Sequence, residues 1–69
     1  MTMEEDREKL KHLIGHWVEH NRSHEAGYSE WAVKAREMGD EPSAELIDEA
    51  VKLMKDADAL LLKALDELH

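Results

Sequence analysis

The chain has one strong interruption of its helix-forming sequence, the segment Gly39-Asp40-Glu41-Pro42-Ser43, which contains its only proline. Gly39 suits the left-handed position that follows many helix ends, and Ser43 is a residue type favoured at a helix N-cap. At the start of the chain, Thr2 and Glu5 have the spacing of a capping box. The pattern predicts an all-α fold with helix one at about residues 3–38, a turn at about 39–43 and helix two at about 44–68.

Apolar residues recur in both halves of the chain at intervals of seven, as expected for one face of a helix. Helix two carries four such rows, more than a single partner helix can bury. We therefore expect one domain over residues 1–69, a two-helix antiparallel hairpin that dimerises into a four-helix bundle. The rows of helix one are Leu10, Trp17, His24, Trp31 and Met38, and Ile14, Asn21, Tyr28 and Ala35; those of helix two begin at Leu46, Ile47, Ala50 and Val51.

Composition narrows the classes of partner. The 69 residues include no cysteine, which excludes disulfides and thiolate metal sites, and the net charge of -8 disfavours binding to nucleic acid or to an anionic membrane. The longest apolar run, Leu60-Leu61-Leu62, is far shorter than the roughly 20 residues that span a bilayer. The first eight residues are acidic and lack an apolar signal core. We expect a soluble, cytoplasmic protein whose partner is a second copy of itself.

Four histidines, at positions 12, 16, 20 and 24, recur every four residues of helix one. Each step of four advances the side chain by about 40° around the helix. If Trp17 marks the centre of the buried stripe, His24 lies about 20° from that centre and His20 about 60°. This places His24 in the core, His20 at its margin, His16 on the flank and His12 in solvent.

Asp58 interrupts an otherwise apolar row of helix two, between Val51 and Leu65. A turn centred near residue 41 brings His24 level with Asp58, and two buried polar groups require hydrogen-bond partners. One interpretation is a metal-free buried polar cluster of Asn21, His24, Tyr28 and Asp58. The other is a metal site with the ligands His20, His24 and Asp58, and with His16 as an additional ligand. Imidazole and carboxylate ligands suit zinc, nickel or cobalt.

The sequence contains no recognisable arrangement of catalytic side chains, and we expect no catalytic residues. Ser23 directly precedes His24, but neighbouring side chains on a helix point about 100° apart and cannot form a nucleophile–base pair. No glycine-rich phosphate loop occurs. Two functions remain open: transition-metal binding through core-facing histidines, and a purely structural or protein-interaction bundle without metal.

The run His16-Trp17-Val18-Glu19-His20-Asn21, followed by His24, resembles a family of short, uncharacterised prokaryotic helical proteins with a His-Trp-x-Glu-His-Asn-x-x-His core. Tyr28, Trp31 and Ala32, and later Ala57-Asp58 and Ala64-Leu65, extend the resemblance over residues 10–68. The resemblance implies a bacterial or archaeal origin and a helical hairpin. It implies no particular mechanism.

Overall fold

The computed structural model describes residues 2–68 and consists of two α-helices that pack antiparallel. Helix α1 spans Met3–Glu37 and helix α2 spans Glu41–Glu67, with no strand in the described residues. The hairpin is 54 Å long and 15 × 13 Å in cross-section. The predicted all-α hairpin is therefore confirmed. Neither helix is long and apolar enough to cross a membrane within this range.

Helix α1 has a defined start and a defined end. The Thr2 side chain accepts a hydrogen bond of 3.1 Å from the Glu5 backbone N–H, which satisfies one of the free donors of the first turn. At the other end Gly39 has a φ of 82°, as predicted for a left-handed residue. The Asp40 N–H bonds to the Ala35 carbonyl at 2.9 Å, and the Gly39 N–H to that of Arg36 at 2.9 Å. These two bonds reverse the chain within residues 38–40.

Helix α2 begins at Glu41, about three residues earlier than expected. Its N-cap is Asp40, whose side chain accepts a hydrogen bond of 3.2 Å from the Ser43 N–H. The expectation that Ser43 is the N-cap is therefore wrong. Pro42 lies in the first turn of the helix, where its missing N–H leaves no hydrogen bond unmade. The shorter turn changes the register between the helices, so that Asn21 rather than His24 comes level with Asp58.

The contact between the helices follows alternating steps of three and four residues, the spacing of an antiparallel coiled coil. Near the turn, Ala32, Ala35 and Ala44 pack together with Ile47 against them. Such small side chains allow the two backbones to approach closely. The stripe comprises Ile14, Val18, Asn21, Glu25, Ala32 and Ala35 of α1 and Ala44, Ile47, Val51, Met54, Asp58, Leu61 and Leu65 of α2.

The buried stripe of α1 is not centred on Trp17, and this corrects the sequence-based interpretation. Val18 is 3% exposed, whereas Trp17 is 42% exposed. The centre of the stripe lies about 60° around the helix from Trp17. His24, expected to be buried, lies on the other side of Trp17 and is exposed. The narrow space between the helices holds alanine and aliphatic side chains, and the large indole lies at its flank.

The two sides of the hairpin differ in chemistry. One side, here the apolar face, exposes large apolar side chains from both helices, with Trp31 58% and Leu46 73% exposed. A shallow hollow between Tyr28, Trp31, Ile47 and Ala50 joins the helices on this side. The apolar face consists of Trp17 and Trp31 of α1, Met38 at the C-cap of α1, and Leu46, Ala50, Leu53, Ala57 and Leu60 of α2.

The opposite side, here the charged face, carries basic and acidic side chains that pair within the chain. Arg36 donates from Nη2 to Asp48 Oδ2 at 2.6 Å and from Nε to Glu41 Oε1 at 3.0 Å. Arg22 and Lys55 line the same side from α1 and α2. On this face Arg36 therefore already has its ionic partners within the chain.

Candidate functional site

A layer of polar side chains crosses the middle of the helix contact. Asn21 donates from Nδ2 to Asp58 Oδ1 at 2.8 Å. Asp58 is 5% exposed, and so is Glu25, which lies one turn after Asn21 on α1. Burying a polar group costs free energy unless the group is hydrogen-bonded. The bond from Asn21 satisfies one of the two carboxylate oxygens of Asp58.

Glu25 and Asp58 form a hydrogen-bonded pair of carboxyl groups. This bond raises the pKa of Glu25, and burial raises it further. The same bond lowers the pKa of Asp58, which Asn21 lowers further, against the effect of burial. Two carboxyl groups in contact share one proton because both cannot ionise at low cost. Of the two groups, Glu25 therefore binds a proton more readily than Asp58 does.

The carboxyl pair opens onto a groove of about 480 Å³ on the charged face, with Arg22, Ser29, Lys55 and Leu62 among its lining residues. The positive charge of Arg22 favours the ionised form of both acids. Glu25 Oε2 is buried without a hydrogen-bond partner among residues 2–68. This layer is therefore the least satisfied part of the helix contact.

The histidines form a row of rings along the surface of α1. Ring centroids are 6.2 Å apart for His16 and His20, 4.6 Å for His20 and His24, and 5.7 Å for His24 and Tyr28. The Nε2 atoms of His20 and His24 lie 3.1 Å apart and share a hydrogen bond, whose donor depends on the tautomers of the two rings. Both imidazoles are exposed. The row is thus accessible, with the Nε2 atoms of His20 and His24 facing each other at hydrogen-bond distance.

The structure separates the residues that the sequence analysis combined. Of the buried polar cluster, Asn21 and Asp58 are bonded, while His24 and Tyr28 lie outside the contact. Of the metal set, His20 and His24 converge on the surface, but Asp58 points into the helix contact. Within residues 2–68, no three His, Asp or Glu side chains are placed to hold one metal ion. A metal at His20 and His24 would need ligands from elsewhere.

Glu25 is the buried residue that the sequence analysis missed. It stands in the row Val18-Glu25-Ala32, at intervals of seven, between two small apolar residues. Asp58 was identified from the same kind of interruption between Val51 and Leu65. The signal was therefore present, and centring the stripe on Trp17 obscured it.

Comparison with known proteins identifies relatives over most of the chain. Residues 10–68 match the family model described as Domain of unknown function (DUF8180). An uncharacterised protein of Archaeoglobus fulgidus is 37% identical over 59 residues, which cover 86% of this chain and 94% of that protein. No solved structure matches. The matched range equals the span of the resemblance found in the sequence, and the chain belongs to the DUF8180 family.

Proposed function

We propose that the chain is a self-associating helical hairpin, in which a second copy covers the apolar face to complete a four-helix bundle. The observation that carries this proposal is the exposure of large apolar side chains along one face while the other is charged. Among the described residues no large side chain is fully buried within the hairpin. A single helix contact in a chain of 69 residues buries little apolar surface, and small domains of this kind commonly gain stability by oligomerisation.

The energetics favour a partner on this face. A leucine or methionine side chain contributes about 1.5–3 kcal/mol when fully buried. The apolar face presents six large side chains per copy, twelve in a dimer, and each is already partly covered within its own chain. Covering the two faces therefore contributes on the order of 10–20 kcal/mol to a dimer. The loss of free motion on association costs about 4–15 kcal/mol. The gain from burial is therefore comparable to this cost or larger.

A second copy fits the face better than an unrelated partner, because the face carries both large and small side chains. Tryptophans and leucines stand beside the alanines Ala50 and Ala57. Two identical faces related by a two-fold axis can place the large side chains of each copy over the small ones of the other. Each hairpin contributes two helices, so two copies supply the four helices of a four-helix bundle.

Light scattering tests the proposal directly. We expect a mass twice the 8.0 kDa of one chain. Leu53→Lys should give a monomer, because it places a charge at the centre of the covered face. Leu62→Lys is the matched control: it adds the same charge on the charged face and should remain dimeric. A wild-type mass of one chain, well above micromolar concentration, would contradict the proposal.

A second function, transition-metal binding, is supported by the 3.1 Å separation of the His20 and His24 Nε2 atoms. Zinc, nickel and cobalt suit imidazole ligands. Asp58 is left out of this proposal because it points into the helix contact, and His16 remains a neighbour of the pair through its stacked ring. Zinc should raise the melting temperature of the wild type and not that of His24→Ala. His12→Ala should respond like the wild type, and an equal loss in both variants would indicate loose chelation along the row.

A further inference from the structure

We propose that His20 and His24 form half of a transition-metal site, which the same two histidines of a second copy complete on the two-fold axis of the dimer. The proposal rests on the self-association proposed above. It adds which residues bind the metal ion and where the two-fold axis of the dimer lies. The completed site holds one metal ion with four imidazole nitrogens.

The pair has the geometry of two ligands of one ion. Zinc-bound imidazole nitrogens lie about 2.0–2.1 Å from the metal, so two of them are roughly 2.9–3.3 Å apart at the angles of octahedral and tetrahedral sites. The observed 3.1 Å separation of the Nε2 atoms falls within that range. Two ligands leave at least two positions open. Within residues 2–68 no third side chain is placed to fill one, so further protein ligands must come from another chain.

The pair also lies where a second copy would contact the chain. His24 belongs to the same row of α1 as Trp17 and Trp31, at intervals of seven, and His20 is one turn away. Covering the apolar face would therefore remove these imidazoles from water. Buried imidazoles need partners, and a metal ion shared between the copies satisfies all four at once.

The position of the pair along the hairpin points to the same arrangement. Helix α1 runs over Met3–Glu37, so His20 lies at its midpoint. If two hairpins overlap along most of their length with a two-fold axis perpendicular to the helices, the axis passes close to this midpoint. With the axis level with Arg22, between the two histidines, His20 of each copy lies opposite His24 of the other. Two-fold symmetry thus brings four imidazoles to one place without any adjustment of the chain.

Neighbouring positions agree with this register. When His20 faces His24 of the second copy, Trp17 comes opposite Gly27 of the second copy. A Cβ atom at Gly27 would meet nothing within 4 Å, so a bulky indole has room there. On α2, Ala57 lies level with the histidines, beside Asp58, and its small side chain lets the two copies approach at the axis.

The alternative two-fold axis runs parallel to the helices and sets α1 of one copy against α2 of the other. His24 would then face the region of Leu53, and His20 that of Ala57. Each His20–His24 pair would then be buried against apolar side chains with only its own hydrogen bond as a polar contact. The cost of burying the remaining ring nitrogens without partners disfavours this arrangement.

Cysteine cross-linking tests the axis, and the chain's lack of native cysteine makes single variants unambiguous. A disulfide requires Cα atoms within about 7 Å. Ala57→Cys lies at the proposed axis and should form a covalent dimer under mild oxidation. Ala50→Cys is the matched control: it lies two turns away in the same row, so its symmetry mate is too distant to bond. Equal cross-linking of both variants, or of neither, overturns the perpendicular axis.

Titration with Co²⁺ alone tests the ligands. We expect one ion per two chains, with the visible absorption of cobalt bound by nitrogen, and loss of this binding in His20→Ala and in His24→Ala. His12→Ala should bind as the wild type does. One ion per chain, or binding that survives both substitutions, overturns the shared site.

Light scattering on the same samples separates the two proposals. A dimer that takes up no Co²⁺ overturns the metal site and leaves self-association intact. A monomer, with or without Co²⁺, overturns both. Helical content measured by circular dichroism shows that the variants at these exposed positions remain folded.

Discussion

The two faces of this hairpin arise from the same seven-residue spacing, but the charged face is stable in water and the apolar face needs to be covered. On the charged face, Arg36 is paired with Asp48 and Glu41 across the turn, so its polar groups are satisfied within one chain and in water. On the apolar face, Trp31 and Leu46 remain more than half exposed. A two-helix contact can bury one stripe of each helix, and any further apolar row must be covered by something else.

The difference between the two faces can be tested by truncating one leucine on each face. Leu60→Ala on the apolar face should lower the unfolding free energy of the dimer by about 3–6 kcal/mol, since two copies each lose a leucine buried in the bundle. Leu62→Ala on the charged face should cost less than about 1 kcal/mol, because the surface positions of a protein tolerate substitution. Chemical denaturation at one fixed protein concentration measures both. Equal costs would mean that the apolar face is not covered.

The buried carboxyl pair provides a second test, through pH. The pKa of Glu25 is raised from 4.5, so its contribution to stability is complete below pH 4.5 and is lost as pH rises through the folded value. The pKa of Asp58 is lowered from 3.8, so its contribution is complete above pH 3.8 and is lost as pH falls through the folded value. Both contributions are complete together between pH 3.8 and pH 4.5.

Thermal unfolding of wild type and Glu25→Gln over a pH series measures this dependence. The glutamine amide can still donate to Asp58 and does not titrate, so Glu25→Gln should flatten the loss of stability on the alkaline side. Glu19→Gln removes the same charge from an exposed position of α1 and should leave the loss in place. An alkaline limb unchanged by Glu25→Gln would show that the pair does not share a proton.

The smallest expected effect concerns the ion pairs of the charged face. Arg36→Gln removes the bonds to Asp48 and Glu41 and should lower the melting temperature slightly, by less than Leu60→Ala does, since exposed ion pairs contribute little and are screened by salt. The decrease should shrink at 1 M salt. Lys52→Gln, an exposed position of α2, controls for the lost charge. A large decrease that persists at high salt would assign Arg36 a structural role in the turn.

Much of the architecture was predictable because it depends on local rules. The two helices, the left-handed Gly39 and the Thr2 cap follow from residue types at helix ends. The spacing of seven identified the rows that lie on common faces. The interruption at Asp58 also predicted a polar residue inside the contact, because a carboxylate in an apolar row is exceptional whatever its partner.

The partner of Asp58 was not predictable, because two small errors of geometry combined. Placing the N-cap at Ser43 instead of Asp40 lengthened the turn and moved the register by about three residues. Centring α1 on Trp17 rotated the helix by about 60°. Together they brought His24 in place of Asn21 opposite Asp58, and left Glu25 unnoticed.

From the amino-acid sequence alone it follows that the chain forms two helices, that Asp58 interrupts an apolar row of helix two, and that the apolar rows exceed what one helix contact can bury. These properties arise from hydrogen bonds and spacing within about a turn of each residue. The contacts between side chains depend on the tertiary structure. Asn21 and Glu25 contact Asp58 between the helices, and His20 contacts His24 on the surface. The rotation and register of two helices depend on the packing of both surfaces together with the length of the turn, and no single row carries that information.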